Sequence, residues 1–194
     1  MAALALVPLR LEDCGEDTAQ AADANDLRHR FEMEQVIPGE CADGEFNDPI
    51  SLAADLVDAG DNGGAKKNLM DACQVDLRCL DAHAHLGNLE FGHSAARAIR
   101  HYEVGVRIGE LSLGSGFDGM LPWIILDNRP FLRCLHGFGL CLWRLGRMDE
   151  ALGVFERMLR LNPMDNQGVH FLASDVREKR SWEECREAEI GLAN

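Results

Sequence analysis

Leu135-x-x-Phe138-Gly139-x-x-Leu142 is followed by Ala151-x-x-x-Phe155 and closed by Asn162-Pro163. Both halves have helical spacing: 135, 138, 139 and 142 share one face of a helix, and so do 151 and 155. A short break containing Gly146 separates them. One small residue in each half, Gly139 and Ala151, lets two helix axes approach closely, while the large apolar neighbours fill the space beside them. Pro163 cannot continue the second helix and turns the chain away. The stretch reads as an antiparallel helix pair with a defined exit.

The same template fits three more places. Pro49-x-x-Leu52-Ala53-x-x-Leu56 pairs with Ala65-x-x-x-Leu69, and His83-x-x-Leu86-Gly87 pairs with Ala98-x-x-x-Tyr102. Val169-x-x-Leu172-Ala173-x-x-Val176 opens a last unit whose second helix, Trp182–Leu192, fits less well. The units start at 49, 83, 135 and 169, so successive starts differ by 34, 52 and 34. The pattern resembles the tetratricopeptide repeat (TPR), W-x2-L-G-x2-Y, A-x3-F, P, with a period of 34. The resemblance covers residues 48–192. It implies an all-α, TPR-like right-handed superhelix of three to four antiparallel helix pairs, with atypical units at the ends to cap the core.

Outward from the repeat, Asp48-Pro49 is a helix start, and Ser181-x-x-Glu184 has the form of a capping box. Helices are expected over Ala82–Phe91, Ser94–Gly109, Pro130–Leu145, Asp149–Leu161 and Asn166–Arg177, with Trp182 sealing the C-terminal cap. The long middle spacing places an insertion at residues 109–128. Its Gly114-Ser115-Gly116 is flexible, while Met120–Leu126 is apolar and must pack on something, either the array's own groove or a partner. Residues 1–47 are rich in Ala, Asp, Glu and Gly without a sustained period. They read as an acidic, mostly disordered N-terminal tail, with one short helix possible over Leu27–Val36 before Pro38-Gly39. No alternating strand pattern stands out.

Charge excludes some functions. Residues 1–62 carry 15 acidic and 3 basic side chains, a balance of -12, against 18 acidic and 16 basic over residues 63–194, a balance of -2. A single-sign acidic segment repels phosphate backbones and anionic lipids, so neither nucleic acid nor a membrane is expected as partner. Met1–Pro8 has no basic residue ahead of its apolar run, and Met120–Leu126 is too short to span a bilayer. Seven cysteines without paired spacing read as reduced thiols, and the expected location is the cytoplasm.

In TPR arrays the first helices of the pairs line a concave groove, so the resemblance implies a protein or peptide partner held there. On the first helices, the polar and aromatic residues outside the packing positions are Asn88, Arg133, His136 and Arg144, with His85, Phe91 and Trp143 nearby. Arg129 stands just ahead of the strong helix, and Trp123 of the insertion is the expected apolar contact. Guanidinium beside carboxamide and imidazole suits a carboxylate or an acidic peptide. The lysine-containing carboxylate clamp of some relatives is not expected, because these first helices carry no lysine and Leu140 stands where a polar contact would help.

Two other classes of function compete with this one. Self-association through the apolar insertion would make the chain a homo-oligomeric scaffold. A metal- or ligand-dependent sensor or enzyme would use Cys79, His83 and His85, since Cys79 and His83 are i, i+4 on a helix. No second pair with ligand spacing accompanies them, so no metal or cofactor is expected. Cys134 and Cys141, seven apart on one helix face, fit buried thiols, and nothing supplies an oriented base for a nucleophile. Gly114-x-Gly116-x-x-Gly119 spells a dinucleotide fingerprint but follows a helix, where it is a chance match. No catalytic residue is expected.

Overall fold

Asp48 opens the helical part as its sequence requires. Its carboxylate accepts the Ile50 amide at 2.8 Å, and Pro49 takes the first helical position. The computed structural model describes residues 2–9, 28–39 and 48–192. Within them, α1 (Pro49–Asp58) pairs with α2 (Asn62–Val75), α3 (Leu80–Phe91) with α4 (Ala95–Leu113), and α5 (Arg129–Arg144) with α6 (Met148–Leu161). The reversal from α5 to α6 runs through Gly146 at φ 74°, a left-handed value that glycine adopts without strain. A fourth unit consists of α7 (Val169–Arg177) and α8 (Trp182–Leu192). The four units fall where the repeat template places them.

The small-beside-large rule holds at atomic detail. A Cβ on Gly139 would come within 2.5 Å of the Phe155 ring. Tyr102 of α4 is gripped from both sides: a Cβ on Gly87 of α3 would lie 2.4 Å from its ring, and one on Gly137 of α5 2.2 Å. The tyrosine thus passes between two successive first helices, and its hydroxyl donates to Asn88 Oδ1 at 2.6 Å. Ala98 and Ala151 are fully buried at the close approaches of their pairs. One continuous core runs from α3 to α7, and a smaller one, mostly alanine and cysteine, joins α1 and α2 to the start of α3.

The segment 1–47 departs from expectation where it is described. Two strands, β1 (Leu6–Leu9) and β2 (Arg30–Met33), pair antiparallel, so the helix expected over Leu27–Val36 does not form. The cause is tertiary. Buried Asn128 accepts the Met33 amide at 2.8 Å and donates to the Phe31 carbonyl at 2.9 Å. The Phe31 amide donates to the Met120 carbonyl at 2.9 Å, and Met33 itself is fully buried. These long-range partners outweigh the weak local helical preference. Residues 10–27 and 40–47, most of the acidic stretch, lie outside the described residues, and so does the expectation of disorder for them.

The insertion is settled on its own array. α4 continues to Leu113, extending it by one turn beyond its expected end. Leu121 is fully buried and its amide donates to the Leu161 carbonyl at 2.8 Å, while the Trp123 amide reaches Asn162 Oδ1 at 3.2 Å. A 3-10 turn over Leu126–Asn128 then leads into α5. The last unit is also individual. Ser181 and Glu184 form the reciprocal capping box, but α8 rests chiefly against α5 and does not lie along α7 as the other second helices lie along their firsts.

Candidate functional site

Because Gly87 and Gly137 bring α3 and α5 into close register, their outward residues form one face. Three groups of contacts occupy it. At its start, Trp123 folds down from the insertion. The Arg129 guanidinium lies 5.2 Å from the centre of its ring, and Arg129 Nε donates to the Trp123 carbonyl at 2.9 Å. Arg133 lies 5.9 Å from the same ring and pairs with Asp81 of α3 at 2.9 Å. His85 Nε2 stands 3.9 Å from that carboxylate.

At the far end, Trp182 of α8 stands edge-on to Phe91 (5.6 Å, 88°) and to Trp143 (5.4 Å, 88°), which lie near the ends of α3 and α5. Arg144 stacks over Phe91 at 5.3 Å and donates to its carbonyl at 2.6 Å. The Trp143 indole N–H donates to the Arg180 carbonyl at 2.9 Å. Between the two ends lie exposed Asn88 and half-buried His136 and Leu140. Burial lowers the His136 pKa from the ordinary histidine value, against the opposing pull of Asp165, which favours a neutral imidazole.

All six residues singled out from the sequence come to this side of the molecule, but they are less free than their positions suggested. The forks of Arg133 and Arg144 already hold Asp81 and Phe91, Asn88 holds Tyr102, and Trp123 is held by two of the chain's own arginines. Three further residues join the contacts of this face without having been singled out from the sequence for it: Asp81, Tyr102 and Trp182. The paired glycines at 87 and 137 could have pointed to Tyr102. No local pattern could have sent Trp182 to Phe91, about ninety residues earlier.

The side chains named for a metal are otherwise engaged. His83 is buried, with Nε2 3.0 Å from the Leu77 carbonyl, and His85 is turned toward Asp81. Burial pushes the Cys79 thiol up to about 12, away from the thiolate that binds a metal, and lowers the His83 pKa, which keeps its imidazole neutral. Among the described residues, no group of three or more His, Cys, Asp or Glu side chains is arranged to hold a metal. A separate cavity of about 350 Å³ lies between α4 and α6, floored by Leu135, Phe138 and Leu142 and rimmed by the Glu110–Arg157 pair at 3.1 Å. Gly153 is in its wall, with no atom of the other described residues within 4 Å of where a Cβ would stand.

Helix pairs whose template starts recur at 34 residues on either side of one insertion, with small-large contacts inside the second and third pairs, define a tetratricopeptide-like helical array. Among solved structures, the chain is similar to the first TPR domain of Spaghetti (RPAP3), which was solved bound to the HSP90 peptide SRMEEVD. Identity is 14%, the TM-score is 0.52, and the match covers 68% of this chain and 91% of that one. A second similar structure is YrrB, described as a TPR protein with an unusual peptide-binding site, at 18% identity and TM-score 0.30, covering 68% and 75% of the two chains. No protein-family model and no curated protein matches. The fold is TPR-like. No helix among the described residues is long and apolar enough to cross a membrane.

Proposed function

We propose that this chain is a protein-interaction module that holds a peptide or protein segment on the α3–α5 face. The observation that carries the reading is the gathering of Asp81, His85, Asn88, Arg133, His136 and Arg144 from two first helices between two tryptophans, most of them partly exposed. Arginines stacked on aromatic rings offer planar donors and apolar area together, the combination enriched where proteins bind proteins. A TPR-like fold whose structural neighbour was solved with a peptide supports the same reading. The test is affinity capture from native extract with the intact chain beside an Arg133→Ala/Arg144→Ala variant of unchanged helicity. A partner kept by the first and lost by the second is the expected result; equal retention by both removes the face from consideration.

Self-association is favoured by one observation of its own. Gly153 interrupts α6 at a cost of about 1 kcal/mol relative to alanine, yet no described residue uses the space it leaves. A second copy closing over the α4–α6 cavity would use it. Light scattering across a concentration series tests this: a mass rising to twice that of the chain, and reverting in a Gly153→Arg variant, is the outcome that supports it.

A further inference from the structure

The last helix is seated where a repeat protein has no local reason to put it. Trp182 bridges Phe91 and Trp143, residues of two successive first helices, and α8 follows it onto α5. Arg144 lies at the edge of this aromatic socket, over Phe91, and the Trp143 N–H fixes the approach through the Arg180 carbonyl. The occupant's charge matches the seat. Residues 182–192 carry four glutamates and one arginine, whereas α5 carries Arg129, Arg133 and Arg144 and no acidic side chain; the two carboxylates of α3 are already paired, Asp81 with Arg133 and Glu90 with Lys66 and Arg97. Glu183 and Glu187 are exposed.

We propose that α8 is the resident ligand of the α3–α5 face. The protein partner of that face is then an acidic helical segment led by a large aromatic ring, which binds by displacing α8. This rests on the interaction-module reading above and extends it by naming the partner's chemistry and the competition that controls access. A helix of 11 residues is below the length that is stable alone in water, so α8 owes its order to the seat and loosens when it leaves. An occupant tethered to its own seat has a high effective concentration, so a partner binds only in proportion to the fraction of molecules in which α8 is away.

The test uses a fluorescently labelled peptide with the sequence of residues 180–194, titrated by anisotropy into the intact chain and into the full chain carrying Trp182→Ala. Removing the indole empties the socket, so the variant should bind the peptide about tenfold or more tighter than the intact chain. A peptide carrying the same Trp182→Ala change should bind neither. A variant that keeps its helicity and gains no affinity overturns the proposal. Should that variant lose its fold, a full chain with Glu183→Lys and Glu187→Lys, both at exposed positions, replaces it. A smaller gain in peptide affinity there supports the proposal, and none overturns it. If the peptide binds none of these chains while partner capture still depends on Arg133 and Arg144, the interaction face stands and the α8 proposal alone fails.

Discussion

Glycine means opposite things at two helix-interior positions of this chain. At Gly137 the absent Cβ makes room for the Tyr102 ring, so Gly137→Ala should destabilise by about 1–3 kcal/mol through overpacking. At Gly153 the space is empty, so Gly153→Ala should stabilise the isolated chain by about 0.5–1 kcal/mol. Urea unfolding of the two variants reads both signs in one experiment. Asn128 is buried and makes one accepted and two donated hydrogen bonds, to Met33, Phe31 and Pro122. Asn128→Ala leaves those partners unsatisfied and should cost about 1–3 kcal/mol. The histidines add a pH dependence. Burial holds His83, His101 and His136 below the usual value of 6.5, so the unfolded chain takes up protons that the folded chain refuses. Stability is therefore lost as pH falls through 6.5, and urea midpoints should drop between about pH 7.5 and about pH 5.5. Glu90, lowered chiefly by its hydrogen bond to Lys66, adds its loss only below the usual carboxylate value of 4.5.

At the scale of elements, local chemistry and distant partners divide the credit. Asp48-Pro49 and the Ser181–Glu184 box carry their own hydrogen-bonding instructions, and both caps form as read. Arg30–Met33 carries no comparable instruction. Its strand exists because Asn128 and Met120, some ninety residues on, supply the backbone partners. The same insertion bolts α6 to the strands through Leu121, whose side chain is fully buried and whose amide holds Leu161. Leu121→Ala should cost about 2–5 kcal/mol, depending on how far the site collapses. A urea midpoint unchanged within error would show that the insertion merely rests on the array.

Across the whole molecule the two cores differ in kind. The main core from α3 to α7 is built on Phe131, Phe155, Leu132, Leu135, Leu142 and Leu161, while the core beneath α1 and α2 is mostly Ala53, Ala65, Ala72, Cys73 and Cys79 around Leu69 and Leu86. Small side chains bury less apolar area, and in stacked repeats each unit leans only on its neighbours. The first pair should therefore open below the global unfolding free energy. Hydrogen exchange measures this directly: amides of α1 and α2 should exchange before those of α5 and α6, and uniform protection would contradict it.

The sequence by itself determined the repeat. Gly139, Ala151, Phe155 and Pro163 encode close helix approach and chain exit within one unit, and a 34-residue recurrence needs no knowledge of the third dimension. It also set which way the side chains at 88, 133, 136 and 144 point, because position within a helix fixes the direction a side chain faces. What only tertiary structure decided is how that face is furnished. The contacts of Arg133 with Asp81 and of Trp182 with Phe91 and Trp143 join residues far apart in the chain. Periodicity specifies which way a residue points from its own helix axis. It does not specify which other segment comes to meet it there, since that depends on packing summed over the whole molecule.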